Sequence, residues 1–175
     1  MAPLLTLAGT ALLVGLAGLL GVTPLRGWLP ALRGGLAAMF TVTGVTHFVV
    51  LRDDLIAMVP PALPRPDLLV TLTGVLELCG AAGLLYRRTV PWAAGGLTAL
   101  LLAMLPANVH AALEGLTLGG EPVTPLVPRV LLQVVFGTAT TAVLWLSVRE
   151  RSRRGADPEG GPEPAWPNTG TTTAP

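Results

Sequence analysis

The chain reads as an all-α integral membrane protein, and three observations predict that class. Of its 175 residues 51% are hydrophobic and 12% charged, roughly half the charged share usual in soluble domains, and mean hydropathy is +0.66. The apolar residues fall in long blocks without the polar stripe a soluble helix needs. Prolines, glycines or arginines stand at most block edges. Helices are the expected form, because lipid offers backbone groups no partner and the blocks are too long and uniform for barrel strands.

Five segments approach the roughly 20 residues a span requires: Leu4–Val22, Gly34–Leu51, Leu68–Tyr86, Val90–Leu113 and Pro128–Val148. Pro24 and Arg26 follow the first; Arg52, Asp53 and Asp54 end the second; Arg87 and Arg88 end the third. Gly119, Gly120 and Pro122 separate the fourth from the fifth, and a run from Arg149 to Arg154 closes the last. The first segment could instead be a cleaved signal peptide. Met1–Thr10 lacks a basic residue, however, and no clear A-x-A site follows the apolar run, so an uncleaved span is expected.

All 11 basic residues are arginine. With five spans, Arg26, Arg33, Arg87, Arg88, Arg149, Arg151, Arg153 and Arg154 share one side, and only Arg52, Arg65 and Arg129 the other. The positive-inside rule then predicts a multi-pass plasma-membrane protein with its N-terminus outside and its C-terminus cytoplasmic. Gly155–Pro175 is rich in proline, glycine, threonine and acidic residues, a composition expected to stay disordered. A net charge of +1 gives no ground for nucleic-acid binding. Cys79 is the single cysteine, which excludes an internal disulfide or dithiol pair; a core position is expected for it.

Polar residues inside spans are costly and need a reason. Helix rise places His47, Asn108 and Gln133 roughly 5–10 Å below the outer surface and Glu77 roughly 13–15 Å below it, so the polar set leans to the outer half. Spacings of three and four put Thr43 and Gly44 on the face of His47, and Thr73, Gly74, Gly80 and Ala81 on that of Glu77. Small residues let helices approach closely, so both ionisable groups are expected on packing faces. Asn108 and His110 lie about 200° apart around a regular helix. Asn108 is read as facing inward, with Pro106 able to distort the turn and His110 four residues before Glu114 as an ion-pair partner. The connector Arg52–Asp67 combines apolar residues with Pro60, Pro61, Pro64 and Pro66; it could be a plain link or a short amphipathic turn over the outer mouth.

This constellation supports several chemistries. A His47–Glu77 pair could move protons, bind a quinone or polar headgroup, or simply hold helices in register. No metal site is predicted, for want of a close-spaced ligand motif such as H-E-x-x-H, and no residue is assigned a catalytic role. The haem-attachment motif C-x-x-C-H and phosphate-binding loops are likewise absent.

The elements Gly44-Val-Thr-His47-Phe48, Met58-Val-Pro-Pro-Ala-Leu-Pro64, Thr73-Gly-Val-Leu-Glu77-Leu and Pro106-Ala-Asn108 together resemble the DoxX family of small membrane proteins, over roughly Leu36 to Leu146. The resemblance implies a four-helix membrane bundle, here at 28–148, preceded by an additional N-terminal transmembrane helix at 1–27 and followed by a disordered cytoplasmic tail at 149–175. The motif positions are His47, Pro60, Pro61, Glu77, Pro106 and Asn108. The implied role is a quinone-linked or redox-complex membrane subunit without a cofactor of its own, its partners being membrane lipids and a quinone or redox protein. Two other classes remain open: a binding protein or transporter for a small lipophilic molecule, and a structural membrane subunit without a ligand. The expected site is an outer-facing polar pocket of His47, Glu77, Asn108, Thr43, Thr73 and Gln133.

Overall fold

The apolar blocks form helices whose ends follow the breakers in the sequence. A computed structural model describes residues 2–156 and is mostly helical (78%). Helix α1 (Ala2–Leu19) is joined by a 3-10 turn to α2 (Trp28–Thr46); a short α3 (Arg52–Met58) precedes α4 (Pro66–Leu85) and α5 (Val90–Leu113). A two-stranded hairpin, β1 (Thr117–Leu118) with β2 (Glu121–Pro122), leads into α6 (Leu126–Ala156). Its turn residues Gly119 and Gly120 both have positive φ, 63° and 82°, the conformation a two-residue hairpin turn demands and glycine accepts without strain.

Four helices are long and apolar enough to cross a bilayer, α1, α4, α5 and α6 over Leu126–Arg153, the pattern of a multi-pass membrane protein. The fifth expected segment, Gly34–Leu51, departs from the expectation. It contributes to α2, which begins earlier, ends at Thr46, and carries Arg33 and three threonines. The threonines are tolerated because their hydroxyls bond within the helix, Thr41 to the Ala37 carbonyl and Thr46 to that of Thr43. The end at Thr46 has a local cause: Arg52 Nη1 donates to the His47 carbonyl at 3.2 Å, satisfying one of the orphan acceptors of a helix terminus.

Helices α2, α4, α5 and α6 enclose one core, and α1 packs against α2 and adds Leu7 to its edge. Leu36, Met39 and Phe40 of α2 meet Ala81 and Leu84 of α4, Ala94 and Leu97 of α5, and Val143 of α6. Lipid tails are as apolar as these side chains, so association rests on close packing and interhelical hydrogen bonds. The closest approaches use glycine. A Cβ at Gly35 would sit 2.6 Å from the Leu7 carbonyl oxygen of α1, and one at Gly74 2.6 Å from His47 Cβ. Helix α6 offers the core a narrow edge of Thr140, Val143 and Ser147 and continues beyond the expected segment end at Val148; the rest of the tail lies outside the described residues.

The connector Arg52–Asp67 is tied down at several points. Arg52 Nη2 donates to Thr71 Oγ1 at 3.0 Å and to the Asp67 carbonyl at 3.3 Å. Asp54 Oδ2 accepts the Gly119 amide at 2.6 Å, binding α3 to the hairpin turn. Cys79, expected in the core, is exposed on the outer surface of α4.

Candidate functional site

The site begins at the α2–α4 contact. Gly44 and Gly74 bring the two helices together: Cβ atoms there would stand 2.9 Å from Leu78 Cγ and 2.6 Å from His47 Cβ. His47 and Glu77 are each only 4% exposed. Thr43 lies between them. Its hydroxyl donates to Glu77 Oε2 at 2.6 Å, and its backbone carbonyl is 3.0 Å from His47 Nδ1. A carbonyl only accepts, so Nδ1 holds the proton and Nε2 is the ring's remaining acceptor in the neutral form. The two ionisable groups are thus joined through Thr43, by its side chain on one hand and its backbone on the other. Thr73 stands apart; its hydroxyl bonds to the Leu69 and Val70 carbonyls of its own helix.

A second set lies between α5 and α6. Asn108 Nδ2 donates to Gln133 Oε1 at 3.1 Å, and Arg129 Nε donates to Asn108 Oδ1 at 2.9 Å. Gln133 Nε2 donates to the Leu101 carbonyl. Pro106 lies inside α5 and lacks the amide that would bond the Leu102 carbonyl; the adjoining Leu101 carbonyl takes the glutamine. Arg129 was absent from the sequence-based site, although its spacing of four from Gln133 places both on one face of α6. No hydrogen bond among the described residues joins this set to the Glu77–Thr43–His47 set.

His110 does not pair with Glu114. Its Nδ1 is 3.2 Å from the Met58 carbonyl, so Nδ1 is again the protonated nitrogen. Arg129 Nη2 approaches Met58 Sδ at 3.8 Å, and Met58 is buried. The end of α3 is therefore held by α5 and α6 together. Of the expected proline positions, Pro60 and Pro61 follow Val59, the C-cap of α3, and Pro106 is the in-helix proline beside the second set.

Polar residues and cavities meet at Gln133. An apolar cavity of about 650 Å³ runs between α5 and α6, lined by Leu101, Leu105, Val130, Val134 and Trp145 with Gln133 toward one end. Its remaining polar lining is the hydroxyls of Thr98, Thr138 and Thr141, and Thr98 Oγ1 donates to Thr140 Oγ1 at 2.9 Å. Its volume lies within the roughly 300–1,000 Å³ of ligand sites, but it is an open groove on the side of the bundle, with the lining residues Leu102, Val134 and Trp145 each more than half exposed. His47 and Glu77 do not line it. Among the described residues no three of His, Cys, Asp and Glu gather as metal ligands.

Residues 36–144, more than half of the chain, match a family model described as Domain of unknown function (DUF8561). The matched stretch holds both hydrogen-bonded sets and leaves α1 outside. It makes no connection to the DoxX family. No curated protein and no solved structure matches the chain.

Proposed function

The chain belongs to the DUF8561 family, and from the site geometry we propose that it binds a small lipophilic molecule with a polar head between α5 and α6. One observation carries the reading: the 650 Å³ apolar cavity has Gln133 at its polar end, hydrogen-bonded to Asn108, which in turn accepts from Arg129. An apolar tail would lie along Leu105, Val134 and Trp145. A carbonyl head would take the second amide hydrogen of Gln133, whose first goes to Leu101. The DoxX resemblance suggests a quinone as the ligand class. In that form the chain is a membrane subunit that presents a quinone to a redox partner and supplies no cofactor itself.

In this reading α2 crosses the bilayer beside the four apolar helices. The end bearing α3 faces outward across the plasma membrane, as the arginine bias argues. The Glu77–Thr43–His47 set joins α2 to α4, and α3 rests over the mouth of the second set.

The test is a binding titration of the purified full chain in detergent with a short-tailed benzoquinone. Saturable binding is expected, weakened about tenfold by Gln133→Leu, the value of one hydrogen bond at a buried site. Absence of saturable binding, or an unchanged affinity in Gln133→Leu, overturns the proposal.

A further inference from the structure

A different cavity lies at the opposite end of the bundle. It has a volume of about 720 Å³, and Arg26, Arg33, Arg87, Arg88 and Arg151 line it against one carboxylate among the described residues, Glu150. Two of the arginines are held by backbone: Arg33 donates through Nε and Nη2 to the Leu84 carbonyl at 2.9 and 2.7 Å, and Arg151 to the Arg88 carbonyl. These bonds orient guanidinium groups without neutralising them. Two helix starts reach the same wall. Gly27 and Trp28 open α2, Val90 opens α5, and neither helix has a side-chain cap at its N-terminus. At α2 the amides of Trp28 and Leu29 precede Pro30. At α5 the Val90 amide already bonds the Tyr86 carbonyl and Pro91 has none, so there only the positive end of the helix dipole favours an anion.

A second cavity of about 680 Å³ adjoins the first, since Arg33 and Arg87 line both. Its walls include Val14 of α1 and Leu25, Leu84 and Leu85, so it is apolar where the first is cationic. Exposed Trp28 and Tyr86 flank this level, as aromatic residues do at the membrane–water interface. A cationic chamber beside an apolar one, at the depth of an interface, fits an amphiphile with an anionic head and a hydrocarbon tail. Basic hollows between membrane helices hold lipid headgroups by this chemistry, and arginine matches phosphate oxygens in a planar, two-pronged geometry.

We propose that this pair of cavities is a binding site for a phosphate-bearing group, the headgroup of an anionic phospholipid, with its chain between α1 and α4. The proposal is independent of the α5–α6 ligand site.

The purified full chain in non-ionic detergent would be titrated with phosphatidylglycerol, with phosphatidylcholine of the same chains, and with inorganic phosphate, reading binding by native mass spectrometry and thermal shift. Saturable phosphatidylglycerol binding is expected, with phosphatidylcholine at least about tenfold weaker, since only the former has net negative charge to meet the arginines. Arg26→Gln with Arg87→Gln, neither of which breaks a hydrogen bond named above, should weaken it by about tenfold or more. Glu150→Gln should tighten it, a gain that loss of structure would not produce, and Arg65→Gln at the other end should leave it unchanged. A response to inorganic phosphate equal to that for phosphatidylglycerol would overturn the lipid assignment in favour of a free phosphate ligand. Equal binding of both lipids, or insensitivity to the double variant, would overturn the site and leave the arginines as determinants of orientation alone.

Discussion

Replacing Thr43 with valine removes the hydroxyl that donates to Glu77 Oε2 at 2.6 Å and lies 3.2 and 3.4 Å from the Met39 and Phe40 carbonyls of its own helix. Valine keeps the shape and removes the donor, while the backbone carbonyl that accepts from His47 Nδ1 stays in place. Glu77 is 4% exposed, so water has little access to the oxygen left behind. Interhelical hydrogen bonds in membrane proteins average about 0.6 kcal/mol and reach about 1.7, because the unfolded helices also find partners in the bilayer. An unpartnered buried acceptor costs about 1–3 kcal/mol. The two figures overlap, since the second contains the lost bond, and Thr43→Val is expected to destabilise by about 1–2 kcal/mol. Converting both partners to apolar groups of similar shape, Thr43→Val with Glu77→Met, should return stability to within about 0.5 kcal/mol of the original. The measurement is equilibrium unfolding of the four proteins of this cycle in mixed micelles. A coupling energy of about 1 kcal/mol or more is expected for residues in direct contact. If Thr43→Val lies within about 0.3 kcal/mol of wild type, or the coupling vanishes, the Thr43–Glu77 bond does not hold α2 to α4.

Two further outcomes follow from packing and tethering. Gly74→Ala should cost about 1–3 kcal/mol in the same unfolding experiment, because its Cβ would lie 2.6 Å from His47 Cβ and 2.9 Å from Phe48 Cε2. Gly96→Ala, with nothing within 4 Å, should be neutral or stabilise by up to about 1 kcal/mol; equal losses at the two positions would contradict the close α2–α4 approach. His110→Ala removes the bond to the Met58 carbonyl. It should raise amide exchange in α3 about fivefold, the equivalent of one modest hydrogen bond, with α4 unaffected; unchanged α3 exchange would show that α3 is held by Arg52 and Asp54 instead.

Much of the fold could be read from the chain because its causes are local. Val90–Leu113 is delimited alike in sequence and structure, since Arg87 and Arg88 precede it and the glycine-rich turn follows it. Spacing along a single helix was equally informative: Thr43 is four residues before His47, so the two share a face. The second apolar segment misled at its far end, where Arg52 satisfies the His47 carbonyl and the chain leaves the helix. Cys79 misled because the offset of two from Glu77 says which way it does not point, and on α4 that direction is the outer surface.

The sequence by itself determined the class of molecule, the ends of α1, α4 and α5 to within a few residues but not those of α2 or the far end of α6, and the gathering of arginine toward one end. These depend on hydropathy and charge counted along the chain. Only the tertiary structure decided which groups meet: that Thr43 joins Glu77 and His47, that His110 turns to Met58 and not to Glu114, that Asn108 and Gln133 take Arg129 as a third member, and that arginines from α2, the α4–α5 turn and α6 line one cavity. The reason is that a helix's periodicity defines its faces but not its rotation against a neighbour. That rotation is set by contacts between residues far apart in the chain, such as Gly74 on His47 and Gly35 on Leu7, whose fit appears only once the helices are packed.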